Sequence, residues 1–248
     1  MTRRGLAIIG VAATLLVAGC ASQGGIDRDN AAAANANVGA DYLHKGDNDR
    51  ARRAFQKALS YDKDNFTANW GMAVVSDRLN QPDPARRYFE KTLEIRSAPA
   101  IYNSYAAFLC EQGDTDQGVA YFKKALATDD AADRADTLAN AGLCRYRAGR
   151  VQDATQDFQR ALELDPKQAT ALTRLATIAY HAQNYLSARA FIERADAATQ
   201  LDPEQLLLAA RIELALHDRA AAESYVKRHN ADPTTATTSL SQLESSRQ

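Results

Sequence analysis

The chain has 248 residues, with 30 basic and 31 acidic side chains and a formal net charge of −1. This near-neutral balance gives no indication of a nucleic-acid-binding surface or of a broadly basic surface for anionic membranes. With only 12 Gly, 6 Pro and few β-branched runs, the alanine-rich composition favours an all-α protein.

Residues 1–19 are typical of a secretory signal peptide. A positively charged start precedes an apolar run over residues 6–17, which is too short to span a bilayer. Residues 17–20, Val-Ala-Gly-Cys, resemble the bacterial lipobox, which implies that Cys20 is lipidated and becomes the first mature residue. Ala21 stands where Asp would signal inner-membrane retention, so we expect sorting to the outer membrane. The alternative is an ordinary cleaved signal peptide with an incidental cysteine.

A unit of about 34 residues recurs along the rest of the chain. Its clearest copy places Ala154, Phe158 and Ala161 on one apolar helical stripe, and Gly149 and Pro166 end its first and second helices. The corresponding large apolar anchors are spaced by 33 to 36 residues: Phe55, Phe89, Phe122, Phe158, Ile192 and Val226. This period is the signature of the tetratricopeptide repeat (TPR). The sequence therefore predicts an all-α, right-handed superhelix of six TPR helical hairpins.

Two further features keep the same period. Small residues mark the close crossing of the two helices in each unit, at Gly39, Ala73, Ala106, Gly142, Ala176 and Ala210. Turns within the units fall at residues 45–47, 80–82, 112–114, 148–150, 183–185 and 216–218. An acidic insertion at residues 128–133 is interpreted as a longer loop, or as a boundary between two groups of three repeats.

Two segments flank the predicted repeat domain, which spans residues 32–233. Residues 20–31 are polar, contain glycine and lack periodic apolar positions, so they predict a flexible tether that carries the lipid. Residues 234–248 are rich in Ser and Thr with little apolar content, which predicts a disordered tail.

The three cysteines have different expected fates. Cys20 is assigned to the anchor, which leaves Cys110 and Cys144 in an oxidising compartment. In that setting the two thiols either pair or lie in the helical core as small apolar residues.

The sequence predicts no enzyme, no cofactor and no metal site. Its four histidines recur at no metal-ligand spacing, at His44, His181, His217 and His229. No phosphate-binding glycine loop and no Cys-x-x-Cys motif is present. The adjacent Asp129 and Asp130 lie in a predicted loop, where a solvated charge run is the ordinary interpretation.

The predicted concave groove is the candidate binding surface. In TPR superhelices the first helix of each pair lines this groove. Its candidate peptide-binding residues are Trp70, Asp77, Asn103, Ser104, Asn140, Leu143, Tyr146, Arg174, Thr177 and Tyr180. Side-chain amides such as Asn103 can bond a peptide backbone through both donor and acceptor, and Trp70 can supply an apolar anchor. The alternative is that Trp70, Tyr105 and Tyr180 only pack helix against helix.

Two segments carry a family resemblance. They are Tyr102-Asn-Ser-Tyr-Ala-Ala-Phe-Leu-Cys-Glu-Gln-Gly113 and Thr137-Leu-Ala-Asn-Ala-Gly-Leu-Cys-Arg-Tyr-Arg-Ala-Gly149. With the lipobox and the six repeats, they resemble the PilF/PilW family of type IV pilus pilotins over nearly the whole mature chain. The resemblance implies a periplasm-facing lipoprotein, anchored in outer-membrane lipid through Cys20. It implies that this lipoprotein binds the type IV pilus secretin subunit and promotes its outer-membrane localisation and multimerisation.

The same resemblance implies a disulfide between Cys110 and Cys144. Because packed helices stand about 8–10 Å apart and bridged Cα atoms lie within about 7 Å, this bridge requires a local close approach. A second function class stays open beside the pilotin. A TPR scaffold lipoprotein of another envelope machine, for outer-membrane protein assembly or cell-wall synthesis, would share the anchor and the repeats without the cysteine-bearing segments.

Overall fold

The computed structural model describes residues 20–127 and 134–245, with side chains from residue 27 onward. The predicted signal peptide, the acidic insertion and residues 246–248 lie outside these described residues. The described ranges contain no β-strand. Their α-helices are α1 Cys20–His44, α2 Asn48–Tyr61, α3 Phe66–Arg78, α4 Pro82–Ile95, α5 Pro99–Glu111, α6 Thr115–Leu126, α7 Arg134–Arg147, α8 Val151–Leu164, α9 Ala169–His181, α10 Tyr185–Ala198, α11 Pro203–Ala215, α12 Arg219–Asn230 and α13 Leu240–Ser245. Within those ranges no helix combines the length and apolar character that crossing a membrane requires.

Consecutive helices pair into six helical hairpins, from α1 with α2 to α11 with α12. The chain divides into two compact units, the first ending at Ile95 and the second beginning at Arg96. The first unit holds the hairpins α1/α2 and α3/α4, and the second holds the other four hairpins and α13. Inside each unit the first helices of neighbouring hairpins contact one another, as α1 contacts α3 and α7 contacts α9. The predicted fold class of six TPR hairpins is confirmed.

The core of each hairpin is built on the predicted anchors. All six are buried, and Phe55 and Phe158 have no exposed surface. Gly142 lies against the Phe158 ring, and Gly39 and Gly71 both lie against the Phe55 ring. A Cβ atom at any of these glycines would overlap the ring; Gly39 and Gly142 are crossing positions, and Gly71 lies two residues before the crossing residue Ala73.

Each hairpin turn contains one residue in the left-handed region of backbone space. These residues are Gly46, Asn80, Gly113, Gly149, Gln183 and His217, with φ between 54° and 86°. The next helix then starts at once, and Asp47, Asn184 and Asp218 accept a hydrogen bond from a backbone N–H of its first turn. The turns therefore fall where the sequence period predicted them.

The structure corrects both predicted flanks. The predicted tether is helical from Cys20, because alanine favours helix and because Ala32 and Ala36 are buried in the first unit. The predicted disordered tail contains α13, in which Leu240 and Leu243 pack against the last hairpin. Two leucines three residues apart supply an apolar face that the hydroxyl-rich composition conceals.

Candidate functional site

The ten predicted groove residues all lie on first helices, from α3 to α9. All of them are partly exposed, so none is locked inside the core. Tyr105, for which packing was the alternative, is 2% exposed and belongs to the core. Trp70 and Tyr180, which shared that alternative, remain partly accessible. The structure thus separates the aromatic residues into one core residue and two surface candidates.

In the first unit an apolar cleft opens between α1 and α3. It encloses about 240 Å³, and its walls include Leu43, Phe55, Thr67 and Trp70. Gly71 has no side chain, so it leaves this space open. The equivalent position in the next three hairpins, two residues before the small crossing residue, carries the larger Ser104, Asn140 and Arg174. The Trp70 indole Nε1 is buried and has no hydrogen-bond partner among the described residues. A ligand that places an apolar side chain here would fill the cleft, and its carbonyl oxygen would reach the indole donor after a movement of the Trp70 ring that exposes the N–H.

In the second unit two amide side chains meet across α5 and α7. Asn140 Nδ2 donates to Asn103 Oδ1 over 3.3 Å. This contact uses one donor and one acceptor of the pair and leaves Asn103 Nδ2 and Asn140 Oδ1 for other partners. Ser104 is more committed, since its hydroxyl donates to the Ala100 carbonyl over 2.8 Å. The amide pair is therefore suited to a peptide backbone, which offers both an N–H and a C=O.

A disulfide joins Cys110 on α5 to Cys144 on α7, with the Cα atoms 5.4 Å apart. Gly118 on α6 makes this close approach possible, because a Cβ atom there would overlap the Cys110 Sγ and lie 2.9 Å from the Ala106 carbonyl oxygen. Sequence reasoning missed this role of Gly118. The signal was present, since every other repeat carries alanine at the same position.

Further along the second unit, α9 and α11 enclose a polar pocket of about 170 Å³. Arg174, Thr177 and Tyr180 of α9 line it, together with Leu208 and Arg211 of α11. Sequence reasoning missed the last two because the sixth repeat departs most from the pattern, with Val226 and His229 where the clearest copy has Phe158 and Ala161. Leu208 and Arg211 nevertheless lie two residues before and one residue after the crossing residue Ala210. Arg174 and Thr177 have the same positions relative to Ala176 on α9.

The most buried ionic groups of the second unit are structural rather than part of this surface. Arg145 pairs with Asp157 inside the α7/α8 hairpin. Arg189 on α10 forms a bidentate ion pair with Glu213 on α11, in which Arg189 Nε lies 3.0 Å from Glu213 Oε1. The hydrogen bond that Arg189 donates to the Glu213 carboxylate raises the pKa of Arg189 above its ordinary value, so this link between two repeats stays charged.

In the described ranges no three His, Cys, Asp or Glu side chains group closely enough to hold a metal ion. His229 illustrates the structural use of histidine in this chain. It is buried, and its ring nitrogens lie 3.1 Å from the Pro203 carbonyl and 3.4 Å from the Ala236 carbonyl. These contacts fix the segment that leads to α13.

Sequence profiles of the tetratricopeptide repeat match residues 97–167 and, with a second profile, residues 42–108 and 145–212. The second profile alone covers more than half of the chain. The matched ranges include residues of both compact units.

Two individual proteins are similar to the chain over most of its length, one in sequence and in structure and the other in structure. The type IV pilus assembly protein PilF of Pseudomonas aeruginosa is 28% identical over 201 residues, which are 80% of this chain and 79% of that protein. A solved structure of Pseudomonas aeruginosa PilF has a TM-score of 0.76 at 24% identity and covers 90% of this chain and 100% of its own. A crystal structure of PilW, described as a widely conserved type IV pilus biogenesis factor, has a TM-score of 0.74 at 24% identity, covering 88% of this chain and 98% of its own. At this identity the two structures show a shared fold.

Proposed function

Because the chain belongs to the tetratricopeptide repeat family and is similar over 80% of its length to a type IV pilus assembly protein, we propose that it is a pilotin for the type IV pilus secretin. In this role it binds a secretin subunit and promotes the localisation of that subunit to the outer membrane and its multimerisation. The 201-residue alignment carries the proposal, since it is longer than either compact unit. A match that rested on one or two generic hairpins would be far shorter.

The exposed faces of the first helices supply the binding chemistry for this role. The cleft beside Trp70 suits an apolar side chain, and a movement of the ring on binding would expose its unpaired indole N–H to a backbone carbonyl. In the second unit the Asn103 and Asn140 amides offer the donor and acceptor that an extended or helical segment requires. Affinity would then depend on a few anchors, with the other contacts contributing complementarity.

The membrane anchor forms part of the same proposal. Residues 1–19 act as the signal peptide, and Cys20 carries lipid that holds the protein in the outer membrane, facing the periplasm. Each buried acyl CH₂ contributes roughly 0.8 kcal/mol of membrane affinity, so a multiply acylated cysteine retains the repeat domain firmly. A secretin subunit bound to the tethered protein is held at the membrane surface, where its effective concentration rises.

The decisive experiment deletes the gene and measures surface pili together with heat-stable secretin multimers. We expect both to be lost and to return with the wild-type gene. Complementation with Cys20→Ala should give a soluble periplasmic protein and mislocalised secretin. Normal multimers in the deletion strain would exclude the pilotin and favour a scaffold lipoprotein of another envelope machine.

The binding surface is tested by secretin pull-down with the double variant Trp70→Ala and Asn103→Ala. Removal of an aromatic anchor and an amide contact should reduce capture at least about tenfold, while helicity measured by circular dichroism stays unchanged. Leu186→Ala is the matched control, because Leu186 is 70% exposed and lies on a second helix. Full capture by the double variant would place the binding site outside these first-helix faces.

A further inference from the structure

We propose that the pocket between α9 and α11 recognises an acidic side chain, Asp or Glu, of the polypeptide segment bound by this protein. The two recognising residues are Arg174 on α9 and Arg211 on α11. This inference rests on the proposed function, because it specifies the chemistry of the partner segment. Unlike the amide pair and the Trp70 cleft, it makes the charge of that segment a condition for binding.

The partly buried arginines of the second unit fall into two groups, those with a carboxylate partner and those without one. Arg145 and Arg189 each pair with a buried carboxylate, on Asp157 and Glu213. Arg174 and Arg211 are also partly buried, yet neither forms an ion pair with any carboxylate in the part of the chain that the structure describes. Partial burial costs a guanidinium some hydration, and an anion supplied by a ligand would restore that loss.

The Arg174 side chain is already oriented by a neighbouring aromatic ring. Its guanidinium carbon lies 6.0 Å from the centroid of the Tyr146 ring on α7, within the range of a cation–π contact. Contact with a ring face leaves the N–H edge of the guanidinium free, and that edge is the part that binds a carboxylate through two hydrogen bonds. The loss of side-chain entropy on binding is correspondingly smaller.

The size and the charge of the pocket determine which anion fits. The pocket holds about 170 Å³, enough for one carboxylate and a few waters at about 30 Å³ each. Asp202 and Glu204 also line it and offset the two arginine charges, so the second negative charge of a phosphate would gain no net attraction, whereas a carboxylate is held by two short hydrogen bonds from one guanidinium. Asp202 is partly committed, because its carboxylate accepts the Gln205 backbone N–H over 2.9 Å. The residues therefore favour a singly charged polypeptide side chain over a phosphorylated ligand.

The test is a peptide array probed with the full-length protein. The array carries overlapping 15-residue peptides of the type IV pilus secretin and an equal set of random 15-residue peptides. Every peptide is present as an acid/amide pair, with Asp and Glu in one member and Asn and Gln in the other. The proteins compared are the wild type, the double variant Arg174→Gln with Arg211→Gln, and the control Arg160→Gln. Arg160 is an exposed arginine of α8 and does not line the pocket.

We expect the wild type and the control to prefer the acid member of bound pairs at least about tenfold, and the double variant to lose that preference. Equal binding of acid and amide members, or an unchanged preference in the double variant, would overturn the inference. Arginine-dependent binding to phosphatidylglycerol vesicles without any peptide preference would also overturn it.

If only random acidic peptides show the preference and no secretin peptide binds, the acidic-segment site stands and the secretin assignment fails. If secretin peptides bind without a charge preference, the secretin assignment stands and the site fails.

Discussion

At the scale of single residues, Gly118 shows how one absent methyl group makes room for a covalent bond. The other five hairpins carry alanine at this position, where the side chain faces the first helix of the same hairpin. In the third hairpin that space is filled by the Cys110 sulfur, which is bonded to Cys144 on the next first helix. The bridge in the third hairpin therefore depends on glycine at position 118.

The change Gly118→Ala tests this dependence. Overpacking against the Cys110 sulfur and the Ala106 carbonyl should cost about 1–3 kcal/mol, although alanine alone would favour the helix by about 0.5–1 kcal/mol. Urea unfolding measures the free energy, and thiol titration under denaturing conditions measures bridge formation. Gln117→Ala, at an exposed neighbour, is the control and should change stability by less than about 0.5 kcal/mol. A net stabilisation by Gly118→Ala would contradict the account.

At the scale of elements, the hairpin turns share one backbone requirement that the sequence meets unequally. Three turns use Gly in the left-handed position, whereas the others use Asn80, Gln183 and His217. A non-glycine residue in this region costs about 1–2 kcal/mol, and asparagine tolerates it best. Gln183 is therefore a strained residue in an otherwise well-formed turn.

We expect Gln183→Gly to stabilise the protein by up to about 1 kcal/mol, since the relief of strain exceeds the added entropy of the unfolded chain. Gly149→Ala should destabilise it by about 1–2 kcal/mol. Ala182→Gly is the matched control, because its φ of −79° needs no glycine and the change should cost about 0.5–1 kcal/mol. Thermal and urea unfolding check all three variants, and destabilisation by Gln183→Gly would show that the side chain contributes more than its strain costs.

The sequence predicted the elements best where a period enforces them. Anchors such as Phe158, crossing residues such as Gly142 and the hairpin turns were all predictable, because each hairpin must bury the same stripe against its neighbours. The ends were not predictable from that pattern. Helix α1 extends to Cys20 and α13 covers the last hairpin, because a terminal repeat buries whatever apolar face is available rather than a repeated one. Composition therefore described these flanks poorly.

At the scale of the whole molecule, the disulfide and the single tryptophan lie in different compact units. Trp70 is the only tryptophan of the chain and belongs to α3 of the first unit. The bridge belongs to the second unit and closes a loop of 34 residues. Tryptophan fluorescence therefore reports on the first unit, whereas far-ultraviolet circular dichroism reports on all helices.

Reduction should accordingly separate the two signals. Opening a loop of this length removes about 3–4 kcal/mol from the stability of the second unit by the chain-entropy relation. We expect dithiothreitol to lower the urea midpoint measured by circular dichroism and to leave the fluorescence midpoint nearly unchanged. Non-reduced gels and thiol counts confirm the redox state, and Cys110→Ser with Cys144→Ser is the control that should not respond to dithiothreitol. Equal shifts of both midpoints would mean that the units unfold as one.

The candidate site was predictable in its helices but not in its full composition. The first-helix rule placed Trp70 and Arg174 on accessible faces, because the position of a residue along a helix fixes its direction. The rule could not show that Gly71 opens a cleft or that the Trp70 indole N–H lacks a partner, since both depend on contacts between repeats. Arg211 was missed because the degenerate sixth copy obscured its register.

The Cys110–Cys144 bridge also bears on the route by which the protein reaches its destination. Disulfides persist in oxidising compartments and are rare in the cytosol, so before export of the kind proposed above both cysteines remain thiols. Until then α5 and α7 lack their covalent link, and the second unit is easier to unfold. If the chain is exported as proposed, it is more loosely folded while it enters a translocation channel, and it becomes more resistant to unfolding once the bridge has formed on the other side.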